Sequence, residues 1–139
     1  MRGKFWLSVV VLFVVWSALD WFFHGVVMTG YYEASKDLWR SEEAMNAMMP
    51  LMWLVTLIAS FFFVLVFSKG YEGKGIGEGV RFGLYIGLWF GSSMGLGSYT
   101  AMPITGAVAL GWFLITVIEC VTGGAVVAAL HGRGKEITS

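Results

Sequence analysis

Four long runs of apolar residues alternate with short polar segments along this chain. Each run approaches or exceeds the ~20 residues that a helix needs to cross a hydrocarbon core about 30 Å thick. We therefore predict an all-α membrane protein, a four-transmembrane-helix bundle that forms one domain over residues 1–139. The predicted helices lie at about 5–28, 45–68, 80–98 and 104–130.

Residues at the ends of these runs indicate where the helices begin. Ser41 can cap the second helix, where Glu42 and Glu43 suit the positive end of the helix dipole. Pro103 suits the first turn of the fourth helix. The glycine-rich and charged residues 69–79 predict a flexible loop between the second and third helices.

The first run could also be taken for a secretory signal peptide, because Arg2 and Lys4 precede it. The run continues well past the small residues Ser17 and Ala18, where cleavage would be expected. We therefore interpret it as the first membrane helix.

The composition agrees with a membrane protein. Of 139 residues, 58% are hydrophobic and only 13% are charged, so most of the chain cannot be the surface of a soluble domain. The formal net charge is zero, which gives nucleic-acid binding no electrostatic support. Cys120 is the single cysteine, so no internal disulfide can form.

Basic residues predict the orientation, because Lys and Arg are retained on the cytoplasmic side. Only Lys36 and Arg40 fall on the outer side of the predicted topology, among several acidic residues. Both termini are therefore predicted to be cytoplasmic. The basic residues on that side are Arg2, Lys4, Lys69, Lys74, Arg81, Arg133 and Lys135.

An aromatic motif, Trp-Phe with a later Tyr, occurs twice at one spacing. This repeat predicts two related helical hairpins, with chance as the alternative in a chain that is 17% aromatic. The two copies are Trp21-Phe22 with Tyr31 and Trp89-Phe90 with Tyr99.

Three ionisable residues, Asp20, His24 and Glu119, lie within the apolar runs. Such residues are costly at bilayer depth and usually mark a functional site. Asp20 and His24 are four residues apart and share one helix face. Asp20 and Glu119 are separated by only ~6 Å in depth at about 1.5 Å per helical residue. We predict that they share a polar pocket, lined by Trp112 and Thr116.

Two interpretations of this pocket stay open. In the functional one, it binds a proton, a cation or a polar ligand from the outside, and Arg40 belongs to a lid and neutralises an acid. In the structural one, burial removes the charge of the carboxyl group, which then bonds to a helix neighbour.

The methionines offer a second candidate chemistry. Soft thioethers select Cu(I), and the Met48 and Met52 pair is similar to pairs in copper-transporter helices. Together with His24 and Met28 these are the candidate metal ligands, and flexible packing by methionine is the alternative. We expect no cofactor. The alternatives are copper, or a haem held by His24 and a methionine.

A stripe of glycines, Gly83, Gly87, Gly91 and Gly95, runs along the third helix. Such a small-x-x-x-small pattern lets another helix approach backbone to backbone. The stripe predicts close packing, either within the bundle or between protomers.

The residues Leu-Asp-Trp-Phe-Phe-His-Gly at 19–25, followed by Tyr31-Tyr32 and Leu38-Trp39, resemble those of small uncharacterised four-helix membrane proteins of bacteria. The resemblance implies the same fold and a location in the bacterial inner (plasma) membrane. It implies no activity.

Two functions follow as hypotheses. The first is a non-enzymatic integral membrane protein that acts as an oligomeric or accessory subunit, with lipid and a second membrane protein as its partners. The alternative is a small proton- or cation-coupled transporter or channel that uses Asp20, His24 and Glu119. An enzyme is least favoured, because no soluble domain offers a pocket.

Overall fold

The computed structural model describes residues 2–132, which contain helices and no strand. The α-helices are α1 Arg2–Phe22, α2 Thr29–Ala34, α3 Glu42–Gly70, α4 Ile76–Gly91, α5 Ser98–Ala101 and α6 Gly106–Gly132. Two π-helical turns, Phe23–Val27 and Ser92–Gly97, follow α1 and α4, and a 3-10 turn, Lys36–Leu38, follows α2. Arg133 and Lys135, which entered the predicted orientation, lie outside the described residues.

Three helical segments are long and apolar enough to cross a membrane, namely Arg2–Val27, Glu42–Gly70 and Gly106–Gly132. Their length and composition suggest a membrane protein. Where the sequence predicts a further helix at 80–98, the structure has α4, which is only 16 residues long, continued by a π-helical turn and α5.

The start of α3 is as predicted, and the start of α6 is not. The Ser41 hydroxyl accepts the Ala44 backbone N–H at 3.2 Å, and α3 begins at Glu42. Pro103 lies before α6, which begins at Gly106. The Thr105 hydroxyl caps α6 by accepting the Val108 N–H at 3.2 Å, so the prediction that Pro103 opens this helix is wrong.

The connection between α3 and α4 is shorter than the predicted loop over 69–79, because Gly77 and Gly79 belong to α4. The Glu78 carboxylate accepts the backbone N–H groups of Glu72 and Lys74 at 2.6 and 2.8 Å and so ties the connection to α4. Gly75 has a φ of 79°, in the left-handed region that favours glycine.

Helices α4 and α6 pack backbone to backbone along the glycine stripe. A Cβ atom at Gly83 would meet the carbonyl oxygen of Cys120, and one at Gly87 would lie 2.8 Å from Cα of Val117. Gly79 extends the stripe by one turn and faces Gly124. The whole stripe is buried within this chain; its members are Gly79, Gly83, Gly87, Gly91 and Gly95.

Helix α1 packs against a second face of α6, and part of α3 packs against α1. We call the end of the bundle near α2 the Tyr32 end and the opposite end the His131 end. Aromatic rings close the bundle toward the His131 end, where Phe82 of α4 lies 5.0 Å from Phe63 and 5.3 Å from Phe67 of α3 between ring centroids. Buried residues there are Val9, Leu12, Trp16, Phe63, Val64, Phe67, Cys120, Val127 and Ala128.

The half of α3 nearest the Tyr32 end does not join this core. Over residues 42–59 only Ala44 and Thr56 are half-buried, and every other residue is exposed. This half of α3 therefore stands clear of the other helices of the chain.

We expect Gly83→Ala to destabilise the protein by about 1 to 3 kcal/mol, because the added methyl group forces α4 away from the α6 backbone. Thermal unfolding in detergent, followed by circular dichroism, measures the effect. Gly77→Ala is the matched control on the same helix, where a Cβ has room. The control should be neutral or stabilising, since alanine is the better helix former; equal stability of the two variants would contradict the packing account.

Candidate functional site

One hydrogen bond fixes α1 against α6 at the depth of the acidic residues. The Trp16 indole N–H donates to the backbone carbonyl of Glu119 at 2.8 Å. Gly123 makes room for this contact, since a Cβ there would lie 2.9 Å from Leu12 and 3.0 Å from the Trp16 indole nitrogen. Asp20, one turn after Trp16, consequently faces Glu119.

The carboxyl groups of Asp20 and Glu119 are neighbours across the contact between α1 and α6. Oε1 of Glu119 is inaccessible and receives no hydrogen bond from residues 2–132. Two carboxylates only accept hydrogen bonds, so a bond between them requires a proton on one of them. We call these two residues the acid pair, and one proton is enough to join them by a hydrogen bond.

His24 extends the acid pair toward the Tyr32 end. Its Nε2 lies 4.0 Å from Oδ1 of Asp20, and its Nδ1 lies 2.5 Å from the Tyr32 hydroxyl oxygen. The His24 and Tyr32 rings are stacked, with centroids 6.0 Å apart and planes 14° from parallel. Both ring nitrogens thus face a polar group.

Tyr32 links His24 to α6, a contact that the sequence pattern did not predict. The Trp112 indole N–H donates to the Tyr32 hydroxyl oxygen at 2.8 Å. Burial raises the pKa of the Tyr32 phenol above its usual value, while the bond from Trp112 acts in the opposite direction. The phenol therefore keeps its proton at neutral pH and remains a hydrogen-bond donor.

Residues 28–39 form a cover over the end of α6 that carries Trp112. The Trp39 ring lies 5.4 Å from Tyr32 and 5.9 Å from Trp112 between centroids, and its indole N–H donates to the Ser35 hydroxyl at 3.1 Å. Met28 is buried beneath this cover against residues of α6, among them Val108. The cover packs over Tyr32 and Trp112, while the side chains of Asp20 and His24 stay 36% and 38% exposed.

The structure brings together four of the six predicted pocket residues, Asp20, His24, Trp112 and Glu119, as the contacts above describe. Thr116 lies between Trp112 and Glu119 on α6, and its hydroxyl donates to the Trp112 carbonyl at 2.8 Å. Arg40 is exposed and forms no ion pair within residues 2–132. No contact therefore supports its predicted role in neutralising an acid.

The predicted metal ligands lie apart. Met28 is in an apolar cluster, with its sulfur 2.8 Å from where a Cβ of Gly111 would be. Met48 and Met52 are exposed on the half of α3 that leaves the bundle. Among residues 2–132 no group of three or more His, Cys, Asp or Glu side chains is placed to hold a metal ion.

A cavity of about 300 Å³ lies at the His131 end, lined by Tyr71, Glu72, Gly73, Gly75, His131 and Gly132. It contains none of the residues of the acid pair or its extension. The candidate chemistry and this cavity thus lie at opposite ends of the bundle.

Comparisons with protein-family models, with curated proteins and with solved structures give no match to this chain. The resemblance to bacterial four-helix membrane proteins therefore rests on the short motifs at 19–25, 31–32 and 38–39 alone.

We expect Trp16→Phe to destabilise the protein by about 0.5 to 1.5 kcal/mol, the net value of one neutral hydrogen bond. The change removes the N–H that joins α1 to the Glu119 carbonyl but keeps an aromatic ring. Trp21→Phe is the control, because Trp21 is 70% exposed on the same helix. Thermal unfolding of both variants measures the difference, and equal midpoints would show that the bond does not hold the two helices.

Proposed function

We propose that this protein is a small proton-coupled transporter or channel of the bacterial inner membrane, and that the Asp20–Glu119 pair is its proton-binding site. The observation that carries the proposal is that Asp20 and Glu119, on two helices long and apolar enough to span a membrane, bring their carboxyl groups together, with one Glu119 oxygen inaccessible. Ionisable groups inside a membrane are costly, and they are characteristic of proton relays.

A path for protons toward one side supports this function. From Glu119 the path runs through Asp20 to His24 and the Tyr32 hydroxyl, with separations of 4.0 Å from Asp20 to His24 and 2.5 Å from His24 to Tyr32. Toward the His131 end, α1 and α6 continue into a buried apolar cluster that includes Leu12 and Val127. In this conformation the pair is reached from the Tyr32 end.

The topology completes the proposal. Segments Arg2–Val27, Glu42–Gly70 and Gly106–Gly132 are three of the spans, and we propose that α4, the π-helical turn and α5 together make the fourth, over residues 76–101. Both termini are then cytoplasmic and the Tyr32 end faces outward. Protons reach the acid pair from outside, and release inward requires α1 to move relative to α6.

In sealed vesicles, we expect the wild-type protein to carry protons when a membrane potential is applied. Glu119→Gln and Asp20→Asn each remove one acid of the pair and should reduce this flux to the level of empty vesicles. A pH-sensitive dye inside the vesicles measures the flux. Glu43→Gln is the matched control, since Glu43 is exposed at the start of α3.

Wild-type flux no greater than that of empty vesicles would overturn the proposal, as would full flux in both acid variants. Repeating the assay with a sodium gradient or with Cu(I) tests the cation alternatives. Flux that follows either ion and not the proton gradient would replace the proton as the transported species.

A second candidate function is that of a non-enzymatic oligomeric or accessory subunit. The glycine stripe no longer favours it, because those residues are buried against α6. The observation that favours it is the half of α3 over residues 42–59, where Leu51 is 55% and Trp53 is 54% exposed. A second copy of the chain or another membrane protein would cover this surface, with lipid as the remaining alternative.

If the chain is an oligomer through α3, Leu54→Cys should form cross-linked dimers in membranes treated with a short thiol-reactive cross-linker. Leu54 is 50% exposed within the separated half of α3. Val10→Cys, on α1 and 57% exposed, is the control and should stay monomeric. Equal cross-linking of both variants, or of neither, would count against a specific interface on α3.

A further inference from the structure

We infer that Tyr32 fixes the tautomer of His24, so that the neutral imidazole carries its proton on Nε2, the nitrogen that faces Asp20. The role of Tyr32 as a positioning residue in proton transfer rests on the function proposed above. The tautomer itself follows from hydrogen-bond directions alone.

The hydrogen bond between Trp112 and Tyr32 has only one possible direction. An indole nitrogen carries a hydrogen and has no lone pair to accept with, so it only donates. At 2.8 Å the Tyr32 oxygen must therefore accept from Trp112. The single hydroxyl proton of Tyr32 remains free to donate.

The hydroxyl proton of Tyr32 has one acceptor among the described residues. Among residues 2–132 the only other hydrogen-bond partner of the Tyr32 hydroxyl is Nδ1 of His24, at 2.5 Å. When Tyr32 donates to it, Nδ1 must be unprotonated, and the proton of a neutral imidazole is then on Nε2.

The opposite tautomer is less favourable on both sides of the ring. If Nδ1 carried the proton, two donors would converge on the Tyr32 oxygen and its own hydroxyl proton would have no acceptor in a half-buried site. The lone pair of Nε2 would also face the Asp20 carboxyl group, 4.0 Å away, in place of an N–H. Both contacts therefore favour the proton on Nε2.

The ionisable groups around His24 are Asp20 on α1 and Tyr32 on α2, with Glu119 of α6 behind Asp20. In the transfer step, the Nε2–H bond breaks as an O–H bond forms on Asp20. The Tyr32 O–H bond breaks as an Nδ1–H bond forms, and a proton from bulk water restores the Tyr32 hydroxyl. One proton thus enters from water, and His24 stays neutral but becomes the Nδ1–H tautomer. A flip of the imidazole ring, or a proton shift from Nδ1 to Nε2, restores the starting tautomer before the next transfer.

Nitrogen NMR of the full chain labelled with ¹⁵N-histidine tests this inference. The chain has two histidines, so His131→Gln identifies the His24 signals. In the neutral state we expect the proton on Nε2 in the wild type, and in Tyr32→Phe a mixture of tautomers or the proton on Nδ1. Tyr31→Phe is the control, since Tyr31 is exposed, and it should leave the His24 signals unchanged.

A wild-type His24 with its proton on Nδ1 would overturn the inference, as would a Tyr32→Phe spectrum identical to that of the wild type. The vesicle assay separates this outcome from failure of the proposed function. A tautomer that responds to Tyr32→Phe without any proton flux keeps the inference and removes the transporter. Proton flux together with a His24 tautomer that is unchanged in Tyr32→Phe removes the inference and keeps the transporter.

Discussion

The close approach of α4 to α6 is the contact on which the remaining structure depends. Lipid tails are as apolar as leucine, so helices in a bilayer gain little from hydrophobic burial and associate through van der Waals contact and hydrogen bonds. The glycines from Gly79 to Gly95 provide that contact by letting the two backbones touch. With α4 bound to this face, α6 presents another face to α1, and Glu119 lies there.

The contact between α1 and α6 concentrates the polar groups of the membrane interior. Trp16, Asp20, His24, Trp112 and Glu119 are joined by hydrogen bonds or close contacts, directly or through Tyr32, and the Asp20 and His24 side chains stay 36% and 38% exposed. A carboxyl group in an apolar medium is stabilised by a partner that shares its proton. The contacts that lower the cost of placing these residues in a membrane also bring them close enough to exchange protons. The same contacts therefore serve both stability and chemistry.

Local signals in the sequence predicted much of this arrangement. The Ser41 cap depends on adjacent residues, and the proximity of Asp20 and Glu119 follows from their similar depth along two helices. Pro103 indicated the wrong start for α6, because the Thr105 hydroxyl caps this helix two residues later. The sequence could not predict that the first half of α3 stands clear of the other helices, because apolar residues suit contact with lipid and contact with protein equally. Tyr32 was missed because its position depends on a break in helical geometry.

That break is the π-helical turn Phe23–Val27 with the bend at Met28. In a straight α-helix two residues eight positions apart are about 12 Å apart along the axis, too far for His24 and Tyr32 to bond. A similar turn follows α4, at Ser92–Gly97, near the place where the aromatic repeat aligns the two halves of the chain. The number of residues in the first turn therefore matters as much as their identity. A chain shortened there by one residue would retain every side chain of the site and yet point Tyr32 elsewhere.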